Sequence, residues 1–274
     1  MKILIAYDGS KCAEAAIDDL ARGGMPPKGE ARIVSVAEVW LPPQDSVEND
    51  EFDSSPYVES LVKIYRESGE KAVAEAAMLA KHAEGRVKKS LPGWDVKSSA
   101  TYGSPAWEIL EAARNFGADL VIVGSQGHSA LGRFVLGSIS QKVLTEAECS
   151  VRVARGSIDV DPAPERVIIG FDGSKGAMCA VEAVASRKWH EDSEVRLVAV
   201  TEPSVPRAIG RFVAPTKTNA IGVAEMGTLW LERTAETATR RLRETGVSAE
   251  LTVRAGNPKE VLVEEAERWG ADCI

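Results

Sequence analysis

The chain has 274 residues, of which 44% are hydrophobic and 27% charged, and its formal net charge at pH 7 is −8. This is an ordinary globular composition at a length typical of two domains, and its acidic balance argues against a nucleic-acid-binding surface, which needs a basic face. No apolar run approaches the roughly 20 residues that span a bilayer, and no signal-peptide pattern precedes the first strand, so we expect a cytoplasmic protein without a membrane partner.

The first half of the chain alternates short apolar runs with segments of helical spacing. The apolar runs predict five strands, at residues 2–7, 32–39, 94–102, 119–123 and 150–154. Helices are predicted after Ser10, over about 58–88, from Pro105 and over 138–146. Strands that alternate with helices in this way indicate a parallel sheet that is covered on both faces.

The longest predicted helix and the segment before it lead to two further expectations. An apolar stripe on the helix is expected to face the core; it consists of Leu61, Ile64, Tyr65, Ala72, Ala76 and Leu79. The preceding segment, residues 40–57, is rich in proline, serine and acidic residues and has no apolar period. We interpret it as a mobile acidic loop that could close over a ligand.

A glycine-rich stretch follows the fourth strand. Gly124 is followed by two residues and Gly127, and after nine more residues Gly137-Ser138 begins a helix. Glycine permits close backbone approach and positive φ, and a helix start presents free N–H groups, so the pattern favours a phosphate site. The alternative is a glycine-rich connection without a ligand. The stretch is neither a P-loop nor a G-x-G-x-x-G dinucleotide motif.

No metal or catalytic site is predicted. The four cysteines lie far apart and form no C-x-x-C pair, which argues against a zinc or redox motif. His128 is the one histidine within the glycine-rich stretch, and we interpret it as a solvated loop residue rather than a general base.

The pattern then starts again. VIIGFDGS at 167–174 matches ILIAYDGS at 3–10, and AGNPKEVLVEEAERWGAD at 255–272 matches YGSPAWEILEAARNFGAD at 102–119. The chain is therefore an internal duplication, with domains at 1–155 and 165–274 and an irregular linker at 156–164. Because the second copy stops inside its fourth strand, we expect the natural chain to continue past Ile274.

The pairing of YDGS or FDGS with GSQGHSALGRFVLGSISQKVL resembles the universal stress protein family (UspA-like), here as a tandem with an incomplete second copy. The resemblance implies two Rossmann-like α/β/α sandwiches of the adenine nucleotide alpha hydrolase-like type. Each would have a five-stranded parallel sheet in the order 3-2-1-4-5. Such open sheets bind ligands where the strand order reverses, and the resemblance places ATP there, across the carboxyl ends of strands 1 and 4.

The resemblance also implies which residues hold ATP, with Mg²⁺ accompanying the phosphates. Those expected at the adenine and ribose are Ala6, Tyr7, Asp8 and Val36, and those expected at the phosphates and ribose are Gly124, Gly127, Gly137, Ser138 and Ser140. His128 and Ile139 complete the predicted set. Asp8 has an alternative role, in which it caps the turn before the first helix.

Three functional hypotheses follow from the resemblance and the motifs. The first is an ATP-binding regulatory module of the stress response, and the second is a slow ATPase for which His128, Ser129 and Arg133 are the loop candidates. The third is a scaffold that binds no nucleotide.

In the second copy, Asp172 is interpreted as a structural turn residue. The duplication also predicts an internal pseudo-dimer, with a homodimer as the alternative and an unknown regulatory protein as partner.

Overall fold

The structure is a computed structural model, and it describes residues 1–41, 56–127, 136–155, 164–201 and 217–274. Internal contacts divide the chain into two compact units, Met1–Asp161 and Pro162–Ile274. Most of the predicted acidic loop and of the linker lies outside the described residues. No helix in the described ranges is long and apolar enough to cross a membrane.

The first unit is a parallel sheet with helices on both faces. Its strands are β1 (Lys2–Ala6), β2 (Glu30–Ala37), β3 (Asp95–Tyr102), β4 (Leu120–Gly124) and β5 (Ser150–Ala154). Its helices are α1 (Lys11–Asp18), α2 (Pro56–Ser90), α3 (Pro105–Phe116) and α4 (Ser138–Glu146). The strands pair in the order β3-β2-β1-β4-β5, which confirms the predicted topology.

The central strands are buried on both faces because their apolar residues are continuous rather than alternating. Ile3 and Ile5 of β1 pack into one core together with residues of α1 and α2, whereas Leu4 packs into the other core with residues of α3. Val121 and Ile122 of β4 extend these two layers, and both are 0% exposed. Each such side chain contributes about 1.5–3 kcal/mol by its burial.

The predicted apolar stripe of α2 is only partly correct. The buried face consists of Ala76, Ala80, Ala83 and Val87, whereas Ile64 and Tyr65 are 61% and 63% exposed. A helix of 35 residues is roughly 52 Å long, but the eight-residue strands beneath it span only about 27 Å. The sheet can therefore cover about half of this helix.

The second unit repeats part of this arrangement. Its strands are β6 (Arg166–Phe171), β7 (Glu194–Thr201) and β8 (Ser248–Ala255), and its helices are α5 (Lys175–Ala185), α6 (Lys217–Arg243) and α7 (Pro258–Trp269). The strands form a parallel sheet in the order β6-β7-β8, and Cys273 makes an isolated parallel bridge to Val167. This bridge corresponds to the pairing of β4 with β1. Among the described residues the second sheet has three strands where the first has five, so the second copy is incomplete, as predicted.

The duplication is also present in the backbone geometry. Gly9 and Gly173 follow the first strand of each unit with φ of 77° and 78°, a conformation that favours glycine. Ser10 and Ser174 come next, and each accepts a hydrogen bond as the N-cap of the following helix. The DGS motif is thus a strand-to-helix turn in both units.

Candidate functional site

A cavity of about 360 Å³ opens at the carboxyl ends of β1, β2 and β4 in the first unit. Because β1 pairs with β2 on one side and β4 on the other, the cavity lies where the strand order reverses. Eight of the predicted site residues line it, namely Ala6, Tyr7, Asp8, Val36, Gly124, Gly127, Ile139 and Ser140. Residues that are far apart in the sequence are thus brought together around one cavity.

The remaining predicted residues lie beside the cavity or outside the described part. Gly137 is the N-cap of α4, Ser138 is its first residue, and the Gly137 N–H donates to the carbonyl oxygen of Ser125 across 2.8 Å. His128 lies outside the described residues, as do the loop candidates Ser129 and Arg133.

Among the glycines of the site, Gly124 is required by space, because a Cβ there would meet the backbone of α1. None of the three glycines has a positive φ, namely Gly124, Gly127 and Gly137. The expectation that they use this backbone conformation is therefore wrong. A Cβ on Gly124 would lie 2.7 Å from the carbonyl carbon of Cys12, so β4 ends directly against the first turn of α1. A Cβ on Gly127 would lie 2.9 Å from Oδ2 of Asp8.

Helix α4 is tied to the end of β4. Ser140 is 5% exposed, and its hydroxyl donates a hydrogen bond to the carbonyl oxygen of Gly124 across 2.6 Å. The next carbonyl, that of Ser125, accepts the bond from Gly137. These two bonds fix the first turn of α4, with the positive end of its dipole, next to the glycine segment.

Asp8 takes the capping role that was the alternative in the sequence. Its Oδ1 accepts a hydrogen bond from the Ser10 N–H across 2.9 Å, while its Oδ2 is directed toward Gly127. Asp8 therefore closes the turn and borders the cavity at once. Asp172 makes the same turn with the Ser174 N–H at 2.8 Å, and hydrogen bonds from Ser174 lower the pKa of Asp172.

The side chain of Tyr7 is directed toward α1 and α2. Its hydroxyl donates to Glu14, which also pairs with Arg86 of α2. Burial raises the pKa of Tyr7, the charge of Arg86 opposes that shift, and Asp8 adds to it. The phenol is thus engaged in a network of charged residues on the α1 side of the sheet.

Sequence reasoning missed half of the cavity wall. Eight further residues line it, namely Ser10, Ala13, Val34, Glu38, Pro105, Ile109, Val123 and Gln126. The period of two along a strand would have found two of them, since Val34, Val36 and Glu38 alternate onto one side. None of the described lining residues is lysine, arginine or histidine.

Two other cavities in the first unit do not collect the predicted residues. One, of about 900 Å³, follows α2 and β3, and another, of about 270 Å³, lies between the ends of α3 and α4. The predicted residues converge on the cavity at the strand-order reversal.

Comparison with known proteins places this arrangement in a family. A model described as the universal stress protein family matches residues 1–155 and again 164–274. Universal stress protein Rv2005c of Mycobacterium tuberculosis is 28% identical over 222 residues, which are 72% of this chain and 70% of that protein. A universal stress protein of Thermus aquaticus is 35% identical over 153 residues, which are 56% of this chain and 97% of that protein.

The solved structures agree on the fold. A universal stress protein from Archaeoglobus fulgidus superposes with a TM-score of 0.58 at 17% identity, covering 98% of this chain and 84% of that one. The double match of the family model agrees with the duplication seen in both sequence and backbone. The chain therefore belongs to the universal stress protein family, in its tandem form.

Proposed function

We propose that the first unit binds ATP in the cavity at the carboxyl ends of β1 and β4 and acts as a nucleotide-dependent regulatory module of the stress response. The observation that carries the proposal is the convergence of eight predicted residues on this cavity. Its volume of about 360 Å³ lies within the range of small-molecule sites.

The chemistry of the wall suits each part of an adenine nucleotide. Val34, Ile109 and Val123 offer an apolar surface for a purine ring. The carboxylates of Asp8 and Glu38 can accept hydrogen bonds from ribose hydroxyls or an exocyclic amine. The main chain near Gly127 and the start of α4 supply N–H groups for phosphate oxygens.

The two carboxylates in the cavity wall bear on the charge of the ligand. A triphosphate would lie near Asp8 and Glu38, whose negative charges oppose its own. We therefore propose that ATP binds with Mg²⁺, which would neutralise part of the phosphate charge. Hydrolysis would need a positioned base or water-orienting group at the γ-phosphate, and no described residue is assigned that role.

Calorimetric titration with Mg-ATP tests the proposal. Gly127→Val should weaken binding at least tenfold, because the valine side chain would enter the cavity. The atom nearest to its Cβ is a carboxylate oxygen of Asp8, which can move to make room. Gly85→Val is the matched control, since a Cβ on Gly85 meets nothing within 4 Å. If the natural protein binds no Mg-ATP, or if Gly127→Val binds it unchanged, the proposal is wrong.

A further inference from the structure

Ser10 makes more contacts than its role as a helix cap requires. Its side-chain oxygen accepts a hydrogen bond from the Ala13 N–H across 3.2 Å, which is the N-cap bond of α1. The same hydroxyl donates to the carbonyl oxygen of Gln126, also across 3.2 Å. Gln126 is 116 residues away in the sequence and lies between Ser125 and Gly127. Because Ser10 is only 6% exposed, water has little access to replace either bond.

This bond completes a series along the glycine segment. The carbonyl of Gly124 accepts from the Ser140 hydroxyl, that of Ser125 from the Gly137 N–H, and that of Gln126 from Ser10. Three consecutive carbonyl groups are therefore fixed, two by α4 and one by the start of α1.

The orientation of the Gln126 carbonyl determines that of the next N–H group. A trans peptide is planar, and its C=O and N–H point in opposite directions. Since the Gln126 carbonyl is directed to Ser10, the Gly127 N–H is directed away from it. The Gly127 nitrogen lies 4.0 Å from the position that a Cβ on Gly137 would take, near the start of α4.

We propose that Ser10 is a positioning residue for phosphate binding: its hydroxyl holds the Gln126–Gly127 peptide so that the Gly127 N–H is aligned with the start of α4 toward a phosphate oxygen. This proposal rests on the proposed binding of ATP and concerns only its phosphate half. The purine wall, formed by Val34, Ile109 and Val123, does not depend on this bond.

The duplication provides an internal comparison. Ser174 has the same place in the second unit, where it caps α5 by accepting from the Ala177 N–H across 3.1 Å. It is exposed, and no glycine segment lies against it among the described residues of that unit. The cap is therefore common to both serines, and among the described residues the bond to a glycine segment is made by Ser10.

The test compares ligand affinities of the full chain carrying Ser10→Gly, Ser10→Thr or Ser174→Gly. Glycine is tolerated at an N-cap with a loss of only a few tenths of a kcal/mol, so Ser10→Gly removes the donor while largely keeping the cap. Calorimetry should show Mg-ATP binding weakened about 5- to 10-fold in Ser10→Gly, with adenosine binding unchanged. Ser10→Thr retains the hydroxyl and should restore ATP affinity, and Ser174→Gly should alter neither ligand.

A second readout does not need a ligand. Hydrogen-exchange mass spectrometry of the unliganded protein should show faster exchange in peptides that cover residues 120–127 for Ser10→Gly, but not for Ser174→Gly. Unchanged ATP affinity in Ser10→Gly, or equal losses for ATP and adenosine, would overturn the positioning role. A natural protein that binds neither ligand would instead refute the proposed function and this role with it, and the exchange data would still report whether Ser10 holds the segment.

Discussion

The buried carboxylate of Glu84 accepts a hydrogen bond from the ammonium group of Lys88 across 2.6 Å, one helical turn further along α2. Ser98 of β3 and Lys81 of α2 donate to the same carboxylate. Glu84 is 6% exposed and lies between the helix and the edge strand of the sheet. It therefore joins α2 to β3 through charge-assisted bonds, which are stronger than neutral ones.

This arrangement predicts a loss of stability in acid. Hydrogen bonds from Lys88, Ser98 and Lys81 lower the pKa of Glu84 from 4.5 to about 2. Because the folded-state pKa lies below the unfolded one, the stabilisation is complete above about pH 4.5 and is lost as the pH falls from 4.5 to 2. Urea unfolding of the first unit can be monitored by pulsed hydrogen exchange in β3. Glu84→Gln should lower the free energy of unfolding by about 1–3 kcal/mol at pH 7. That difference should shrink toward pH 2, and a constant difference would contradict the assignment.

The second unit contains a buried carboxylate among three arginines. Glu265 of α7 is 4% exposed and accepts hydrogen bonds from Arg196 at 2.9 Å and from Arg254 and Arg268 at 3.1 Å. Glu265→Ala should destabilise this unit by about 2–4 kcal/mol, because the guanidinium groups would remain close together without their shared partner. Thermal unfolding measures the change.

Glu264→Ala is the matched control for that experiment. Glu264 is the preceding residue on the same helix, but its side chain is 61% exposed and lies 4.0 Å from Arg254. An exposed pair of this kind contributes less than about 1 kcal/mol. Equal effects of the two substitutions would show that burial of Glu265 does not matter.

Gly85 is a position where a substitution should increase the stability of the first unit. It lies within α2, is exposed, and a Cβ there would meet nothing within 4 Å. Gly85→Ala should stabilise the first unit by about 1 kcal/mol, because alanine has the higher helix propensity and restricts the unfolded chain. Gly117→Ala should do the reverse, since Gly117 ends α3 at φ +65°, where a Cβ is disfavoured. Differential scanning calorimetry distinguishes the two directions, and a destabilised Gly85→Ala variant would refute the prediction.

The strands and the turns after them could be predicted from the sequence because local signals agree with the fold, whereas the strand order and the place of the cavity followed from the resemblance to the universal stress protein family. Apolar runs mark β1 and β4, and Gly9 and Gly173 sit in two copies of the same turn. The repeat also made the incomplete second sheet predictable, since residues 255–274 could be aligned with residues 102–121. At these positions the apolar pattern and the internal duplication predict the same elements.

Other features depend on contacts that no local pattern encodes. The period of α2 marks an apolar stripe but not how far the sheet extends beneath it. The prediction that Ile64 faces the core is therefore wrong, since its side chain is exposed. Gly124 is required by the approach of Cys12, and Ser10 reaches Gln126 across 116 residues. Such contacts arise only when β1 and β4 become neighbours in the sheet.

The most direct test of the account is to denature the protein as purified and identify any released nucleotide by chromatography, beside the Gly127→Val variant. We expect about one adenine nucleotide per chain from the natural protein and none from the variant, because Gly127 lines the cavity of the first unit on which the predicted residues converge. A natural protein that releases no nucleotide and also fails to bind added Mg-ATP would contradict the account and favour a scaffold role.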